Sequence, residues 1–391
     1  MSQQRCESAH YCEGLAAVET GPGFFRPESR PARDLTVLLA RLQASRGSLR
    51  LLDLMAGCGI RSLRCGLEAR ADLIWANDAD PDRLELLQRN LAALPDHTQR
   101  RLTACTAQQL LAGCMQERQR FDLLDLDAFG CPSALVPLAL EAVALDGVLV
   151  LASSDGRSPT GHDRSAALRR LGAAARAHPA GWELALRLQL GVIARSAWAM
   201  GRGLIPLLSF SEGRTFRTAV RLRRHPAAAE ERCLGLLAHC HRCGDQQVQS
   251  LIALRQWDPC LCTAGGGTDA GPALAISGPL WIGPLQHPAT LEALLEDARH
   301  DGGAPIAPAT ERLLRRLVAD PAPTPRCWPT DQIARQLGVG PPPLRDLVAA
   351  LIDQGHGASI SGVMPGQLRS QAPWPRILET ARALVDSAAA K

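Results

Sequence analysis

The residues Asp127-Ala128-Phe129-Gly130 place a carboxylate two positions before an aromatic ring, at the end of an apolar run that begins at Phe121. Methylation of an exocyclic amine such as that of guanine needs an acceptor for its N–H protons, because the nitrogen becomes more tetrahedral as it reacts. Asp127 is a candidate for this acceptor, and Phe129 is a candidate for a ring that stacks on a flipped base. The same residues also suit an ordinary strand end with a capping aspartate.

A second group of chemical residues surrounds the glycine turn at Gly57 and Gly59, which follows the apolar run from Leu49 to Leu54. The run is typical of a buried parallel strand, and glycine lets a ligand approach the backbone because it has no Cβ. Asp78 lies 78 − 57 = 21 positions after Gly57, at the end of the next predicted strand. A βαβ unit places a carboxylate there to accept hydrogen bonds from a ribose, so the stretch predicts a nucleoside site.

The residues beside this turn indicate which nucleoside binds. A dinucleotide site normally has G-x-G-x-x-G/A, whereas Gly59 is followed by Ile60, Arg61 and Ser62. Asp53 before the turn and Arg61 after it suit a ligand that carries both an amino group and a carboxylate. S-adenosylmethionine (SAM) is such a ligand and fits better than a diphosphate.

Four of the thirteen cysteines form two close pairs, Cys240 with Cys243 and Cys260 with Cys262, separated by sixteen residues. Two such pairs favour a structural zinc site with four thiolate ligands, although a C-x-C pair is tighter than usual. Four protein ligands leave no open position, so this zinc would hold a small subdomain together rather than take part in chemistry. The sequence shows no signal peptide, and with so many cysteines this predicts a reducing cytoplasm.

The composition of the 391 residues predicts a protein of two or three domains. No apolar run reaches the length of about 18 residues that a membrane span needs. The net charge is +4, and Lys391 is the sole lysine beside many arginines. Arginine contacts phosphate and stacks on bases, so this bias is compatible with RNA binding, although a GC-rich genome explains it as well. Nothing in the sequence indicates an obligate protein partner.

Two of the six phenylalanines, Phe24 and Phe25, are adjacent in a segment rich in glycine and proline near the N-terminus. Adjacent aromatic rings are costly to leave in water unless they cover something. Packing of this arm on the domain explains them, and stacking on a nucleobase is the alternative.

The predicted elements indicate an α/β fold: a Rossmann-like class I methyltransferase domain whose mostly parallel sheet is closed by an antiparallel hairpin. The hairpin is predicted from the β-type runs Leu204 to Phe210 and Thr215 to Leu222. After a proline-rich linker, two helices and a strand follow in the order of a winged-helix module. We therefore expect a smaller α+β C-terminal domain that contains a winged-helix-like module.

The chain resembles the tRNA (guanine-26 N2)-dimethyltransferases, a family of SAM-dependent class I methyltransferases. The resemblance covers most of the chain and rests on motifs that occur in the same order. They are E-G-x-A-x-V at Glu13 to Val18, F-F-x-P at Phe24 to Pro27, R-D-L at Arg33 to Leu35, A-G-C-G-I-R at Ala56 to Arg61, N-D at Asn77 and Asp78, D-x-F-G-x-P at Asp127 to Pro132, P-L-L-S-F-S at Pro206 to Ser211, the cysteine pairs, G-P-L-W-I-G-P-L at Gly278 to Leu285, and A-S-x-S-x-x-x-P at Ala358 to Pro365.

The resemblance implies a role for each matching residue. Arg33, Arg61 and Asp78 would hold SAM, Asp127 would serve the target amine, and Phe24 or Phe25 would sandwich the guanine with Phe129. It also implies an N-terminal arm and methyltransferase domain at 1–225 and a tRNA-binding domain at 226–391. The zinc subdomain would occupy about 233–285 and the winged-helix-like module about 310–370.

The chain departs from the family pattern at two positions. Thr106 and Ala107 occupy the place beside the adenine where the family has an acidic residue before a small one. SAM would bind more weakly, or Gln108 would substitute. Ala128 replaces the proline of D-P-F-G, and because proline fixes φ, alanine would loosen the loop that directs Asp127.

The leading hypothesis is an active enzyme that transfers methyl groups from SAM to N2 of a guanine in tRNA, once or twice. One alternative is methylation of an amine in another RNA or in DNA. The other is a tRNA-binding module that has lost catalysis, which the departures at Thr106 and Ala128 permit.

Overall fold

The computed structural model describes residues 10–260, 262, 274–300 and 304–389. Helices and strands alternate in its first half. The helices are α1 (Arg30–Ala44), α2 (Ile60–Ala69), α3 (Arg83–Asn90), α4 (Ala107–Gln116), α5 (Val136–Ala142), α6 (Arg164–Leu171), α7 (Gly181–Ala199), α8 (Pro288–Arg299), α9 (Pro308–Val318), α10 (Thr330–Leu337), α11 (Leu344–Asp353) and α12 (Trp374–Ala389). The strands are β1 (His10–Glu13), β2 (Ala16–Glu19), β3 (Arg50–Asp53), β4 (Leu73–Asp78), β5 (Gln99–Ala104), β6 (Phe121–Ala128), β7 (Val143–Ser153), β8 (Gly203–Glu212), β9 (Thr215–Arg223), β10 (Leu234–His239), β11 (Gln246–Ser250), β12 (Ala275–Trp281), β13 (Cys327–Pro329), β14 (Ala358–Ile360) and β15 (Gln367–Ser370).

The central sheet has seven strands in the order β5-β4-β3-β6-β7-β9-β8. Its first five strands are parallel to one another. The apolar runs of β3, β4, β6 and β7 are buried, as expected for strands that helices cover on both faces, whereas the edge strand β5 has no buried residue. The two-residue turn between β8 and β9 makes the predicted hairpin, so the predicted fold class is confirmed.

Strand β7 begins earlier than its apolar run suggests. The sequence predicts a strand from Val148, whereas the structure begins it at Val143. Val143 pairs with Phe121, and the register between β6 and β7 then shifts before Leu123 pairs with Val148. Asp146 adopts a positive φ of 62° within this irregular part of the strand. A bulge of this kind leaves no signal in an apolar pattern.

Parallel strands bring their carboxyl ends to one edge of the sheet. Asp53 ends β3, Asp78 ends β4, Asp127 lies next to the end of β6, and Ser153 ends β7. The register confirms this arrangement, because Asp53 lies opposite Asp125 on β6, and Asp127 lies opposite Ala152 on β7. Ligands of open α/β sheets bind at this edge.

The chain divides into two compact units. The first contains Met1–Ser153, Ala219–Arg224 and Ala289–Arg315, and the second contains Ser154–Thr218, His225–Pro288 and Arg316–Lys391. None of the helices in the described residues has the length and apolar character that crossing a membrane requires.

The second unit contains two small antiparallel sheets, ordered β11-β10-β12 and β13-β15-β14. The second sheet, with α10, α11 and α12, forms the predicted winged-helix-like module. Trp328 and Trp374 lie at its centre, fully buried and stacked with ring centroids 5.2 Å apart. Leu347, Leu351 and Leu368 are buried in the same core.

A buried group of charges lies beside this module in the second unit. Arg369 on β15 pairs with Glu183 on α7 through Nη1 at 2.5 Å, and with Asp320 through Nε at 2.8 Å. All three side chains are almost completely buried. Burial favours the neutral form of Asp320, but the Arg369 guanidinium outweighs this and holds the pKa of that carboxyl below its ordinary value.

Candidate active site

The turn between β3 and α2 has the shape that a bound nucleoside requires. Gly57 and Gly59 have positive φ values of 57° and 77°, which non-glycine residues rarely adopt. The space beside Gly57 is open, since an added Cβ there would meet nothing within 4 Å. The N–H of Gly57 donates to Oδ2 of Asp78 at 2.9 Å, so this carboxylate lies directly beside the turn.

Two buried polar atoms near the turn lack partners among the described residues. Oδ1 of Asp53 accepts no hydrogen bond, although Oδ2 accepts one from Ser62 at 2.8 Å. Nε of Arg61 donates none. A buried carboxylate oxygen and a buried guanidinium N–H are costly to leave unpaired. They fit the amino group and the carboxylate of an amino-acid ligand, which are the groups predicted from the sequence.

The electrostatic states of these two side chains depend on each other. Burial raises the pKa of Asp53, and the neighbouring Arg61 and the hydroxyl of Ser62 only partly offset it. Burial alone would lower the pKa of Arg61, but the carboxylates of Asp125, Asp127 and Asp53 raise it above the ordinary value. Arg61 is therefore a fixed positive charge at the centre of three carboxylates.

Arg61 also connects this region to Asp127. Its Nη1 pairs with Asp125, and its Nη2 donates to Oδ2 of Asp127 at 3.0 Å. Both carboxylates lie on β6. The side chain of Asp127 is 29% exposed, whereas that of Asp125 is buried. Asp127 can therefore meet a substrate while Arg61 fixes the direction of its carboxylate.

The predicted aromatic residues meet at the same edge. The rings of Phe24 and Phe129 lie with centroids 5.3 Å apart and planes at 77°. Both rings are largely exposed, at 70% and 77%. A base between them needs two faces about 7 Å apart, so the observed edge-to-face contact must open before a guanine can be sandwiched. Phe25 differs, because it packs against Tyr11 and under Arg33.

Arg33 lies near the start of α1, next to the N-terminal arm. Its Nε and Nη2 donate to Glu13 at 2.9 and 2.6 Å, and its remaining described bonds go to the carbonyls of Arg26 and Pro27. These carbonyls follow Phe24 and Phe25 directly. Arg33 therefore fixes the arm that carries Phe24.

A second arginine of α2 completes this network. Arg64 pairs with Glu13 at 2.7 Å, with Asp34 at 2.6 Å and with Glu68 through Nε at 2.8 Å. All of these side chains are fully buried. The strand β1 is thus held to α1 and α2 by paired charges, which stay buried only because each is matched.

Thr106 and Ala107 begin α4 after the end of β5. The Thr106 hydroxyl accepts from the N–H of Gln109 at 3.3 Å, and Oε1 of Gln109 accepts from the N–H of Thr106 at 3.2 Å. This capping box gives Thr106 a structural role at the start of the helix. Ala107 is buried and Gln108 is exposed.

The four predicted zinc ligands come together. The Sγ atoms of Cys240, Cys243, Cys260 and Cys262 all lie within 4.8 Å of one another. Burial raises the pKa of a thiol, but the N–H groups of Cys243 and Arg242 lower that of Cys240 below its ordinary value. A thiolate is the form that binds metal. The cluster is compatible with zinc, and Trp374 and Trp328 donate to the carbonyls of Cys243 and Gly244 at 2.7 and 2.8 Å.

Sequence reasoning did not assign roles to several residues of this edge. Asp125 is one, although its place in the alternating pattern of β6 is a usable signal. Asn77 is another, because its side-chain amide donates to the carbonyls of Leu54 and Cys105 and so ties β4 to the ends of its two neighbours. The hydrogen bond of Ser62 to Asp53 could not be predicted, since most serines within helices only contact solvent.

Comparisons with known proteins agree with this geometry. A sequence model of the family described as N2,N2-dimethylguanosine tRNA methyltransferase matches residues 7–382. The chain is 27% identical over 388 residues to the tRNA (guanine(26)-N(2))-dimethyltransferase of Thermococcus kodakarensis, which covers 94% of this chain and 97% of that protein. It is 29% identical over 359 residues to the protein of the same name from Methanosphaerula palustris, covering 90% of each chain.

The fold is also similar to a solved structure. Trm1 from Pyrococcus horikoshii, determined in complex with S-adenosyl-L-methionine, superposes with a TM-score of 0.82 over 95% of this chain and 99% of that one. The two sequences are 23% identical, so this likeness shows the fold.

Proposed function

Because this chain belongs to the N2,N2-dimethylguanosine tRNA methyltransferase family, we propose that it transfers methyl groups from SAM to N2 of a guanine in tRNA. The family membership confirms the resemblance inferred from the sequence. Guanine 26 is the expected target, because the curated relatives carry that position in their names. The observation that carries the proposal is the position of Arg61, whose charge interacts with that of Asp53 and whose Nη2 donates to Asp127.

The cofactor residues of the proposal lie along the carboxyl edge of the sheet. Asp53 and Arg61 would hold the amino group and the carboxylate of SAM, and the open backbone at Gly57 and Gly59 would face the nucleoside. Asp78 would accept from the ribose hydroxyls. Thr106 and Ala107 would lie beside the adenine, and Arg33 would also hold SAM, as the resemblance implies. SAM supplies an electrophilic methyl group when bound.

Asp127 would act on the target amine. Its carboxylate accepts a hydrogen bond from N2–H of the guanine, which keeps the nitrogen lone pair directed away from Asp127. As the N–C bond forms and the methyl–sulfur bond breaks, the nitrogen becomes acidic and its proton passes to the carboxylate. The partial exposure of Asp127 lets that proton leave to water before another transfer.

The aromatic rings would hold the base during this step. Guanine leaves its stack in the tRNA and lies between Phe24 and Phe129, which the observed edge-to-face contact brings to the same place. N2-methylguanosine retains one N–H, so Asp127 can accept it in a second round and yield the dimethylated product. The number of transfers would then depend on whether the methylated base rebinds.

The remaining parts of the proposal concern the rest of the chain. Residues 1–225 would form the arm and methyltransferase domain, and residues 226–391 would bind tRNA. The compact units divide the chain differently, because residues 154–218 belong to the second unit. The cysteine cluster holds zinc in a subdomain at about 233–285, of which residues 261 and 263–273 lie outside the described residues. The winged-helix-like module occupies about 310–370. A cytoplasmic location stays a prediction of the sequence.

A direct assay tests the proposal. An unmodified tRNA transcript with guanine at position 26 is incubated with the protein and labelled SAM, and its nucleosides are then separated. We expect N2-methylguanosine, N2,N2-dimethylguanosine or both, and no product from the same transcript with adenine at position 26. Labelled product from the adenine transcript would move the target to another position, and no product from any tRNA would refute the proposal.

A further inference from the structure

Packing alone does not fix the orientation of the Phe129 ring. Its side chain is 77% exposed, and the ring of Phe24 that it meets is itself 70% exposed. An exposed ring gains little from burial, so contacts with its surroundings hold it weakly. The direction of Phe129 therefore depends on the backbone that carries it.

That backbone is fixed on both sides of Phe129. Ala128 is the last residue of β6 and pairs with Ser153 in the parallel ladder. Gly130 has a positive φ of 74° and reverses the chain. The hydroxyl of Ser153 donates to the carbonyl of Gly130 at 2.9 Å. Ser153 thus contacts the loop at both ends, through the ladder at Ala128 and through its side chain at Gly130.

We infer that Ser153 is a positioning residue that directs Phe129 toward the target base, an inference that rests on the proposed function. Ser153 is itself 5% exposed, and its hydroxyl donates to the loop rather than to solvent. The resemblance to the family places a proline at 128, where φ would be fixed by the ring. Here alanine leaves φ free, and the restraint on the loop comes from β7 instead.

The substitution Ser153→Ala removes the hydroxyl and leaves the strand intact. We expect the single-turnover rate of tRNA methylation at saturating SAM to fall about tenfold, while the dissociation constant for SAM changes less than about twofold. The SAM constant is measured by calorimetry on the full chain. Hydrogen exchange of the amides at 128–131 is expected to become faster, with the rest of the sheet unchanged.

Two further variants separate positioning from general stability. Thr98→Val removes another buried hydroxyl that donates to a backbone carbonyl, that of Ala71 at 2.8 Å, at the opposite end of the sheet. We expect it to leave the rate unchanged. In the double variant Ser153→Ala with Ala128→Pro, the proline ring fixes φ at position 128. We expect this variant to regain most of the rate that Ser153→Ala loses.

The outcomes are distinct. A Ser153→Ala protein with the wild-type rate and wild-type exchange at 128–131 overturns the inference. So does a slow variant whose exchange rises throughout the sheet and whose rate Ala128→Pro does not restore, since this would show a general structural role. A wild-type protein without activity on tRNA refutes the proposed function instead, and the exchange measurement still tests the role of Ser153 in the loop.

Discussion

Nη2 of Arg61 donates a hydrogen bond of 3.0 Å to Oδ2 of Asp127, and Nη1 of the same guanidinium pairs with Asp125. The planar guanidinium thereby fixes two carboxylates of β6 relative to each other. Nε of the same side chain is buried and has no partner among the described residues, so under the proposed function this one side chain would serve both the cofactor and the target amine.

Arg61→Lys is expected to weaken both functions. A lysine keeps the charge but cannot make the two-pronged contact, so either Asp125 or Asp127 loses its partner. Hydrogen bonds to charged groups contribute about 1.5–3 kcal/mol each, which corresponds to a loss of about tenfold to a hundredfold in rate. Calorimetry with SAM and single-turnover assays measure the two effects. Arg89→Lys, which alters an exposed ion pair with Glu85, is the control. Full activity in Arg61→Lys would contradict the shared role.

Asp127→Asn is expected to abolish methyl transfer while SAM and tRNA still bind. The amide keeps the shape of the side chain but cannot take up the proton of the amine. Its rate is measured with substrate tRNA in excess of the dissociation constant. Asp122→Asn on the same strand is the control, because its carboxylate accepts the N–H of Arg50 at the far end of β6. Turnover by Asp127→Asn at the wild-type rate would remove Asp127 from this role.

Phe129→Ala and Phe24→Ala are each expected to lower kcat/KM for tRNA without affecting folding. Stacking of a base on an aromatic ring contributes about 1–3 kcal/mol, so the loss should be about fivefold or more. Because both rings are exposed, the thermal midpoint should stay close to that of the wild type. Met115→Ala removes another exposed apolar side chain and serves as the control. A fall in kcat/KM matched by this control would rule out a specific stacking role.

Removal of zinc is expected to destabilise the second unit. Cys240 and Cys243 flank a turn, and the carbonyls of Cys243 and Gly244 accept from Trp374 and Trp328, so loss of the metal should disturb the tryptophan pair. Chelation under reducing conditions should lower the thermal midpoint and shift tryptophan emission to the red. Cys240→Ser should reproduce this, whereas Cys233→Ser should not. Elemental analysis that finds no metal in the purified protein would reject the site.

Acidification is expected to remove the contribution of Asp320 to stability. Its pKa is lower in the folded protein than the ordinary value of 3.8, so the ionised form stabilises the fold at higher pH. This contribution is complete above about pH 4 and is lost as the pH falls through the folded pKa. Urea unfolding should therefore show Asp320→Asn to be less stable than wild type at pH 7, with a gap that narrows below pH 4.

The control for this experiment is Asp331→Asn, which alters an exposed pair with Arg335 at 3.4 Å. Surface pairs contribute about 0–1 kcal/mol, so this variant should follow the wild type at every pH. A stability gap for Asp320→Asn that stays constant from pH 7 to pH 3 would show that its ionisation is not linked to folding.

Much of the fold could be predicted because its signals are local. Apolar runs predicted the parallel strands, and the glycine turn with Asp78 predicted a nucleoside-binding half-fold. The cysteine spacing predicted the cluster that the structure brings together. The positions of Asp53, Asp78 and Asp127 at one edge follow from the rule that parallel strands end together. Each of these features depends on a short stretch of sequence and on one principle of backbone geometry.

The partners of these residues could not be predicted, because they depend on contacts between distant segments. Nothing in the spacing indicates that Arg33 pairs with Glu13, or that Arg369 joins α7 to Asp320. A buried arginine and an exposed one look alike in a sequence. For the same reason the sequence does not show which of Phe24 and Phe25 faces outward. The two residues are adjacent, and only the path of the arm decides which ring is exposed.

The helix α2 carries Arg61 and Arg64 three residues apart, so both leave the same face. The first pairs with Asp127, the proposed acceptor for the target amine, and the second pairs with Glu13 on β1. Under the proposed function, the distance between the proton acceptor Asp127 and the arm that carries Phe24 would thus be set by the single helix α2. Any substitution that rotates α2 about its axis would therefore displace Asp127 and the arm together, even if the substituted residue contacted neither of them.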